Sequence, residues 1–298
     1  MTKERYVELD LAKGVGILFV ITGHIQYISE NFRNFIVAFH IPLFFVIFYH
    51  SFLIIHLHIC LYKTVMKKGR SILQPYFIFS LIFIIAQYVA YRIGSSITLE
   101  LVKQNIYLTL IFYGMSVIWF LGALFTGEMA FLAVIKIFRK KWTPLVLILW
   151  MVISCIANRA LQYYRGIYGN LPYINYLAYF LQMIIRIGII AFFVGVGFYL
   201  WMCRQKVKIS SPAAGIFGII CLFITVLISR LNGGVDLHYM VFHNEFLYFC
   251  GTITGSIGVL GICYGLRNFI KFPLLKVLDF YGKNSLIVML THVDTYLM

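Results

Sequence analysis

The sequence predicts an all-α polytopic membrane protein that forms one membrane-embedded domain over residues 1–298. Of the 298 residues, 62% are hydrophobic and only 12% are charged, whereas soluble domains are about a quarter charged. The apolar residues form runs of about 20 residues, the length that crosses a hydrocarbon core of about 30 Å. The basic residues fall in short clusters between these runs. This pattern excludes a water-soluble enzyme, a disordered chain and a nucleic-acid-binding module.

The apolar runs predict about nine transmembrane helices. The last run begins at Ser285 and reaches Met298 after 14 residues, about 21 Å of helix, so we expect a final helix to be lacking. The segment Ile106–Met115 is too short to span and is expected in the outer interface. The predicted spans lie near 9–28, 35–62, 72–91, 117–138, 143–158, 176–203, 212–229 and 246–266.

The basic residues predict the orientation of the chain. Eighteen of the 25 Lys and Arg residues lie in loops on the N-terminal side, including four between Arg267 and Lys283. Six lie on the opposite side, and Arg186 lies within a span. Because positively charged loops stay in the cytoplasm, the N-terminus is predicted to be cytoplasmic. The net charge of +15 therefore comes mainly from loops that are predicted to be cytoplasmic. No nucleic-acid partner is expected.

Neither a disulfide framework nor a metal site is expected. The six cysteines lie in or at the ends of predicted spans, and they form no C-x-x-C pair. Their positions are those of small side chains in a helical core.

The first predicted span contains two polar side chains, which are costly in a membrane unless they are paired or face a cavity. Lys13 lies near its cytoplasmic end and His24 near its outer end. Eleven residues place the two side chains on one helix face, about 16 Å apart along the axis. Asp10 precedes Lys13 by three residues and is expected to pair with it.

A second histidine is predicted at the depth of the first. His40 lies about five residues inside the second span, level with His24 to within one turn. The two spans are joined by a short loop and are therefore antiparallel neighbours. Two imidazoles at one depth indicate a proton-handling site, and a simple hydrogen bond from His24 to a backbone carbonyl is the alternative.

Two further candidates lie inside spans, and others lie in an outer loop. Glu128 is midway through the fourth span, and Arg186 is about a third of the way into the sixth. They are counter-ions of each other in one interpretation and functional groups in the other. The segment Asn232–Tyr239 combines turn glycines with polar side chains, as carbohydrate sites often do, and a plain loop is the alternative.

Five motifs in order resemble membrane acyltransferase family 3, and the nearest branch is the fucose 4-O-acetylase-like group. A basic residue followed after ten positions by a histidine is the family signature, here Lys13 and His24. The resemblance covers nearly the whole chain. The motifs are E-L-D-x-x-K-G from Glu8 with a glycine-rich run to His24, F-H-I-P-L-F-F from Phe39, W-F-L-G-A-L-F from Trp119, N-G-G-V-D-L from Asn232 and G-K-N-S-L-I-V-M-L-T-H ending at His292.

The resemblance implies O-acylation, usually O-acetylation, of a sugar hydroxyl in a cell-surface or secreted glycan at the bacterial cytoplasmic membrane. Acetyl-CoA is then a donor substrate, and no bound cofactor is expected. His24 is the implied essential histidine, a buried and neutral general base for the attacking alcohol. The candidate residues are His24, His40 and Glu128 for catalysis, Lys13, Asp10, Lys67, Lys68, Arg70 and Arg186 for the donor, Asn232, Asp236 and Trp119 for the acceptor (a glycan or lipid-linked sugar), and His292 without an assigned role.

The sequence departs from the family at one internal position. After F-H-I-P-L-F-F the family continues with a Ser-Gly pair, which Phe48 and Tyr49 replace here. Two other interpretations stay open: a transporter or flippase for a glycan precursor, with a proton relay through the buried side chains, and a non-catalytic, truncated membrane module. The sequence shows neither the internal repeats nor the broken helices that are typical of transporters.

Overall fold

The structure, a computed structural model, describes residues 6–25, 27–48, 61–138, 140–168, 172–207 and 209–291. The described residues form helices and no strand, apart from one isolated bridge between Asp236 and Val241. The predicted all-α membrane fold is thereby confirmed. The helices are α1 (Val7–Gly23), α2 (Glu30–Val37), α3 (His40–Phe48), α4 (Leu61–Lys68), α5 (Gln74–Arg92), α6 (Leu99–Leu110), α7 (Trp119–Ile137), α8 (Thr143–Tyr168), α9 (Pro172–Lys206), α10 (Ser211–Asn232), α11 (Glu245–Leu266), α12 (Pro273–Lys283) and α13 (Ser285–Thr291).

Seven helical stretches of the described part are long and apolar enough to cross a membrane. The helix α1 is not among them, because it has 17 residues and contains Glu8, Asp10 and Lys13. The count of about nine spans and the cytoplasmic N-terminus stay predictions. The seven stretches are Glu30–Phe48, Val65–Arg92, Ser116–Ile137, Thr143–Tyr168, Tyr173–Lys206, Ser211–Asn232 and Glu245–Phe269.

The chain divides into two compact units, each with its own helix packing. Unit 1 comprises Met1–His50 and Val196–Met298, and unit 2 comprises Ser51–Gly195. The division falls inside α9. The prediction of one domain over residues 1–298 stays a prediction.

In unit 1, the first half of α1 packs backbone to backbone against α12. A Cβ atom added at Gly14 would collide with the carbonyl group of Leu278, and one added at Gly282 would collide with the carbonyl group of Asp10. Glycines permit such an approach because they have no side chain to separate the helices. The basic residues of this segment predicted a loop, although Pro273 in the first turn of α12 is a helix-start signal.

The helices α10 and α11 of unit 1 also meet through glycines. Gly218 lies against the backbone of Gly258 and Ile262, and Gly265 lies against that of Gly215. The loop between the two helices is closed by a hydrogen bond from the backbone N–H of Asn244 to Oδ1 of Asn232, at 2.9 Å. This closure fixes the outer segment that the sequence singled out as a candidate acceptor site.

In unit 2, α6 runs antiparallel along α5. The side-chain amide of Asn105 donates to Oε1 of Gln87 at 2.8 Å, and the hydroxyl of Tyr76 donates to the carbonyl of Thr109 at 2.9 Å. The second bond places the end of α6 at the Tyr76 hydroxyl. Both bonds join buried groups, so the end of α6 is held firmly against α5.

Residues 111–118 follow α6 and lead into α7 without forming α-helix: residues 111–115 are non-helical, and Ser116–Ile118 form a 3₁₀ turn. Phe112, Gly114 and Ser116 all have positive φ, at 59°, 77° and 42°, a region that non-glycine residues rarely adopt. The Phe112 ring stacks on that of Tyr76 at 5.8 Å, so this segment also lies level with Tyr76. We call residues 111–118 the break.

Ile106–Leu110 are the last residues of α6, and the break follows them directly. The outer-interface position expected for Ile106–Met115 stays a prediction.

The contact between α1 and α12 can be tested by filling it. We expect Gly282→Ala to destabilise the protein by about 1–3 kcal/mol, because the added methyl group overpacks a backbone contact. Gly166→Ala in α8 is the control: nothing lies within 4 Å of its added Cβ, so stability should stay constant or rise slightly. Thermal unfolding in detergent measures both. Equal melting temperatures for the two variants would contradict the contact.

Candidate functional site

Lys13 is held by two neighbours in unit 1. Its Nζ lies 3.3 Å from Oδ1 of Asp10, which confirms the predicted pairing. It also lies 5.8 Å from the centre of the Phe48 ring, a cation–π contact. Phe48 stands where the resemblance leads us to expect a serine. Its larger side chain adds a second contact to Lys13.

His24 lies at the end of α1 and is exposed. The helix is continuous from Val7 to Gly23, so Lys13 and His24 lie along one helix as predicted, about 16 Å apart along its axis. The expected burial of this imidazole is wrong, because α1 ends at Gly23 and leaves the side chain beyond the last turn. An exposed imidazole is accessible to a large acceptor.

His40 begins α3, and it is half-buried. Its Nδ1 lies 2.9 Å from the carbonyl oxygen of Ile36. Because a carbonyl can only accept, Nδ1 donates the proton, and in neutral His40 the lone pair is therefore on Nε2. The predicted equal depth of His40 and His24 stays a prediction.

A second cation lies at the first turn of α1 and was missed in the sequence. Arg204 forms an ion pair with the buried Glu8. Its guanidinium also lies 4.7 Å from the ring centre of Trp201 and 4.8 Å from that of Tyr264. The signal was available in the sequence, since Glu8 opens the first motif and Trp201 precedes Arg204 by one helical turn.

The two candidate acceptor residues of the outer loop differ in exposure. Asn232 is 2% exposed, and its side-chain oxygen is used to close the loop. Asp236 is exposed, and its Oδ1 accepts a hydrogen bond from the backbone N–H of Tyr239 at 3.0 Å. Asn232 therefore shapes the loop from within, and Asp236 is the one of the two that a ligand can reach.

In unit 2, the counter-ion of Glu128 is Lys68 and not Arg186. The Nζ of Lys68 lies 2.8 Å from Oε1 of Glu128, which is fully buried. Lys68 itself is 7% exposed. Of the three candidate donor residues Lys67, Lys68 and Arg70, the first and the last are exposed.

Arg186 is held at the break. It is 1% exposed and donates from Nη2 to the carbonyl oxygen of Tyr113 at 2.7 Å. Its guanidinium lies 4.7 Å from the ring centre of Tyr113 and 5.0 Å from that of Trp119. Trp119 also packs on the break, because a Cβ atom added at Gly114 would collide with the backbone of Trp119. The contact of Arg186 with the break is not indicated by sequence spacing.

Among the residues that the structure describes, no three His, Cys, Asp or Glu side chains lie close enough to hold a metal ion. His292 lies outside the described residues.

A family model described as an acyltransferase domain matches residues 6–298, nearly the whole chain. The chain belongs to membrane acyltransferase family 3. It is accordingly a multi-pass membrane acyltransferase. The match covers the motifs from Glu8 to His292, and with them both residues of the signature, Lys13 and His24.

The other two comparisons find no relative for this acyltransferase. No curated protein matches it, and no solved structure matches it. The fucose 4-O-acetylase-like branch stays a prediction.

The position of Arg186 between two rings can be tested by a substitution that keeps the charge. We expect Arg186→Lys to lower stability by about 2 kcal/mol, since lysine lacks the planar guanidinium and the site is desolvated. Arg165→Lys is the matched control, because Arg165 stacks on Tyr179 at 4.7 Å but is only half-buried. The stability that this variant loses should stay below about 1 kcal/mol. Melting temperatures in detergent compare them, and a larger loss at Arg165 would refute the argument.

Proposed function

We propose that this acyltransferase moves an acetyl group from acetyl-CoA to a sugar hydroxyl of a cell-surface or secreted glycan, at the bacterial cytoplasmic membrane. The observation that supports the proposal is α1 itself. It is one uninterrupted helix that carries a paired cation, Lys13, near its middle and an exposed imidazole, His24, at its C-terminal end. A donor with an anionic nucleotide and a long neutral arm matches that arrangement.

His24 is the general base of the proposed reaction. A sugar hydroxyl becomes a nucleophile when a base takes its proton during attack on the thioester carbonyl. The alkoxide oxygen forms the new ester bond, the C–S bond breaks, and CoA leaves as the thiol after taking a proton. The exposure of His24 suits an acceptor as large as a glycan.

His40 supports His24 in this proposal. Its Nδ1–H is committed to the carbonyl of Ile36, so Nε2 is the nitrogen available to accept a proton. A neutral neighbour with a free lone pair stabilises a protonated imidazole better than a second cation would. His40 is therefore a positioning residue and a proton acceptor beside the base.

Lys13 contacts the donor in this proposal. It is 20% exposed at the side chain, so one face stays open while Asp10 and Phe48 fix the other. An ammonium group held at a defined place attracts phosphate oxygens. In unit 2 the exposed Lys67 and Arg70 are the candidate donor contacts.

Removal of the proposed base tests the chemistry. We expect His24→Ala to lower the rate of labelled acetyl transfer from acetyl-CoA to glycan by about 10²–10⁴-fold, the usual contribution of a general base. His243→Ala, which removes another exposed imidazole, should leave the rate unchanged. Unchanged transfer in a correctly inserted His24→Ala protein would sink the assignment.

The same assay separates the alternatives. Acetyl transfer, or donor hydrolysis without glycan, by purified protein supports the enzyme. Movement of a glycan precursor across a vesicle membrane without acetyl transfer would instead identify a transporter. A protein that binds neither substrate would be a non-catalytic module.

Removal of the charge at Lys13 tests donor binding. We expect Lys13→Gln to raise the KM for acetyl-CoA about tenfold, because about 1.4 kcal/mol of phosphate attraction is lost, and to leave the KM for the acceptor nearly constant. Lys13→Arg should retain most of the donor affinity, since the charge is kept. Lys103→Gln, at an exposed lysine in α6, controls for the loss of positive charge in general. An unchanged donor KM in Lys13→Gln would rule out this role.

A further inference from the structure

The ion pair between Glu128 and Lys68 is buried inside unit 2. Glu128 is fully buried, and its second carboxylate oxygen, Oε2, has no hydrogen-bond partner among the described residues. A buried ion pair is poor as a source of stability, because desolvation of the two charges offsets their attraction. The unsatisfied acceptor Oε2 adds a further desolvation cost to the folded state. Stability alone is therefore a weak reason for this pair.

The pair is located where the helix geometry changes. Lys68 is the last residue of α4, and residues Gly69–Leu73 form a single π-helical turn. The backbone N–H of Gln74 donates to the carbonyl of Gly69, five residues earlier. We call Gly69–Leu73 the π-turn. Such turns are uncommon and frequently lie at functional sites.

The π-turn packs against α7, the helix that contains Glu128. Lys68, Ile72 and Tyr76 are all buried, so they mark the inward face of this stretch. Lys67 and Arg70 lie off that face and are exposed. The rotation of the chain at Lys68 therefore decides where these two cations point.

We propose that Glu128 is a positioning residue: through its ion pair with Lys68 it fixes the rotation of the π-turn and so holds Lys67 and Arg70 as a phosphate-binding pair. The ligand class is the phosphate groups of a nucleotide, in acetyl-CoA those of the 3′-phosphorylated ADP. The proposal rests on the proposed function for the identity of the donor. Glu128 touches no substrate in this account, which replaces the catalytic role expected from the sequence.

The experiment measures binding by the full chain in lipid nanodiscs, with CoA and with adenosine 3′,5′-bisphosphate, which lacks the pantetheine arm. We expect Glu128→Gln to raise the Kd of both ligands by the same factor, about 5–20-fold, because the loss is in phosphate binding. The KM for acetyl-CoA should rise equally, with kcat changed less than twofold. A fall in kcat at unchanged Kd would overturn the proposal.

A double-mutant comparison of Glu128 and Arg70 in CoA binding distinguishes a positioning role of Glu128 from a merely structural one. We expect Arg70→Gln to weaken CoA binding strongly in the wild-type background and less than twofold in the Glu128→Gln background. Independent effects, which multiply, would overturn the proposal. The control is Lys103→Gln in both backgrounds, which should have no effect on CoA binding in either.

A double variant separates the loss of CoA binding from a failure to fold. Lys68→Met with Glu128→Leu removes both charges and is expected to fold, since apolar side chains of similar volume usually replace a buried pair without loss. It should still bind CoA at least fivefold more weakly than wild type, and wild-type affinity in this double variant would overturn the proposal. If the wild-type protein itself binds no CoA, the donor assignment and this proposal both fail; if it binds CoA and the Glu128 variants bind equally well, only this proposal fails.

Discussion

A buried segment has no water to pair with its backbone N–H and C=O groups, and this constraint governs the break in unit 2, where Tyr113 and Met115 are buried. Buried non-helical backbone needs a partner from the protein for each polar group. At the break, Arg186 supplies one of them, because its guanidinium donates to the carbonyl of Tyr113. The same cation needs stabilisation in turn, and it is stacked against the rings of Tyr113 and Trp119. Helix break, buried arginine and aromatic rings are therefore one arrangement.

The constraint in unit 1 is steric. The first half of α1 can approach α12 only because Gly14 and Gly282 have no side chains. That approach brings α12 beside Asp10, the residue that pairs with Lys13. On another side of α1, α3 contributes Phe48 to the same lysine. Lys13 is thus fixed by contacts from its own helix and from α3, and the helix itself is fixed by α12.

The sequence predicted those features that depend on hydropathy and on local spacing. The helical membrane fold follows from the apolar runs, and the Asp10–Lys13 pair follows from a separation of three residues. The partner of Glu128 did not follow, because Lys68 lies 60 residues upstream and only helix packing brings the two together. The start of a span near residue 117 was predicted, but the left-handed backbone at Phe112 and Ser116 was not, because neither residue type signals it.

The contact between Gly282 and Asp10 also bears on how the protein is made. The helix α1 leaves the ribosome early, but the backbone that covers its Asp10–Gly14 face is synthesised about 270 residues later, which takes on the order of half a minute at about 10 residues per second. All of unit 2 is synthesised in that interval. The glycine face of the first helix therefore stays uncovered during that interval, and unit 1 is completed only after translation of Gly282.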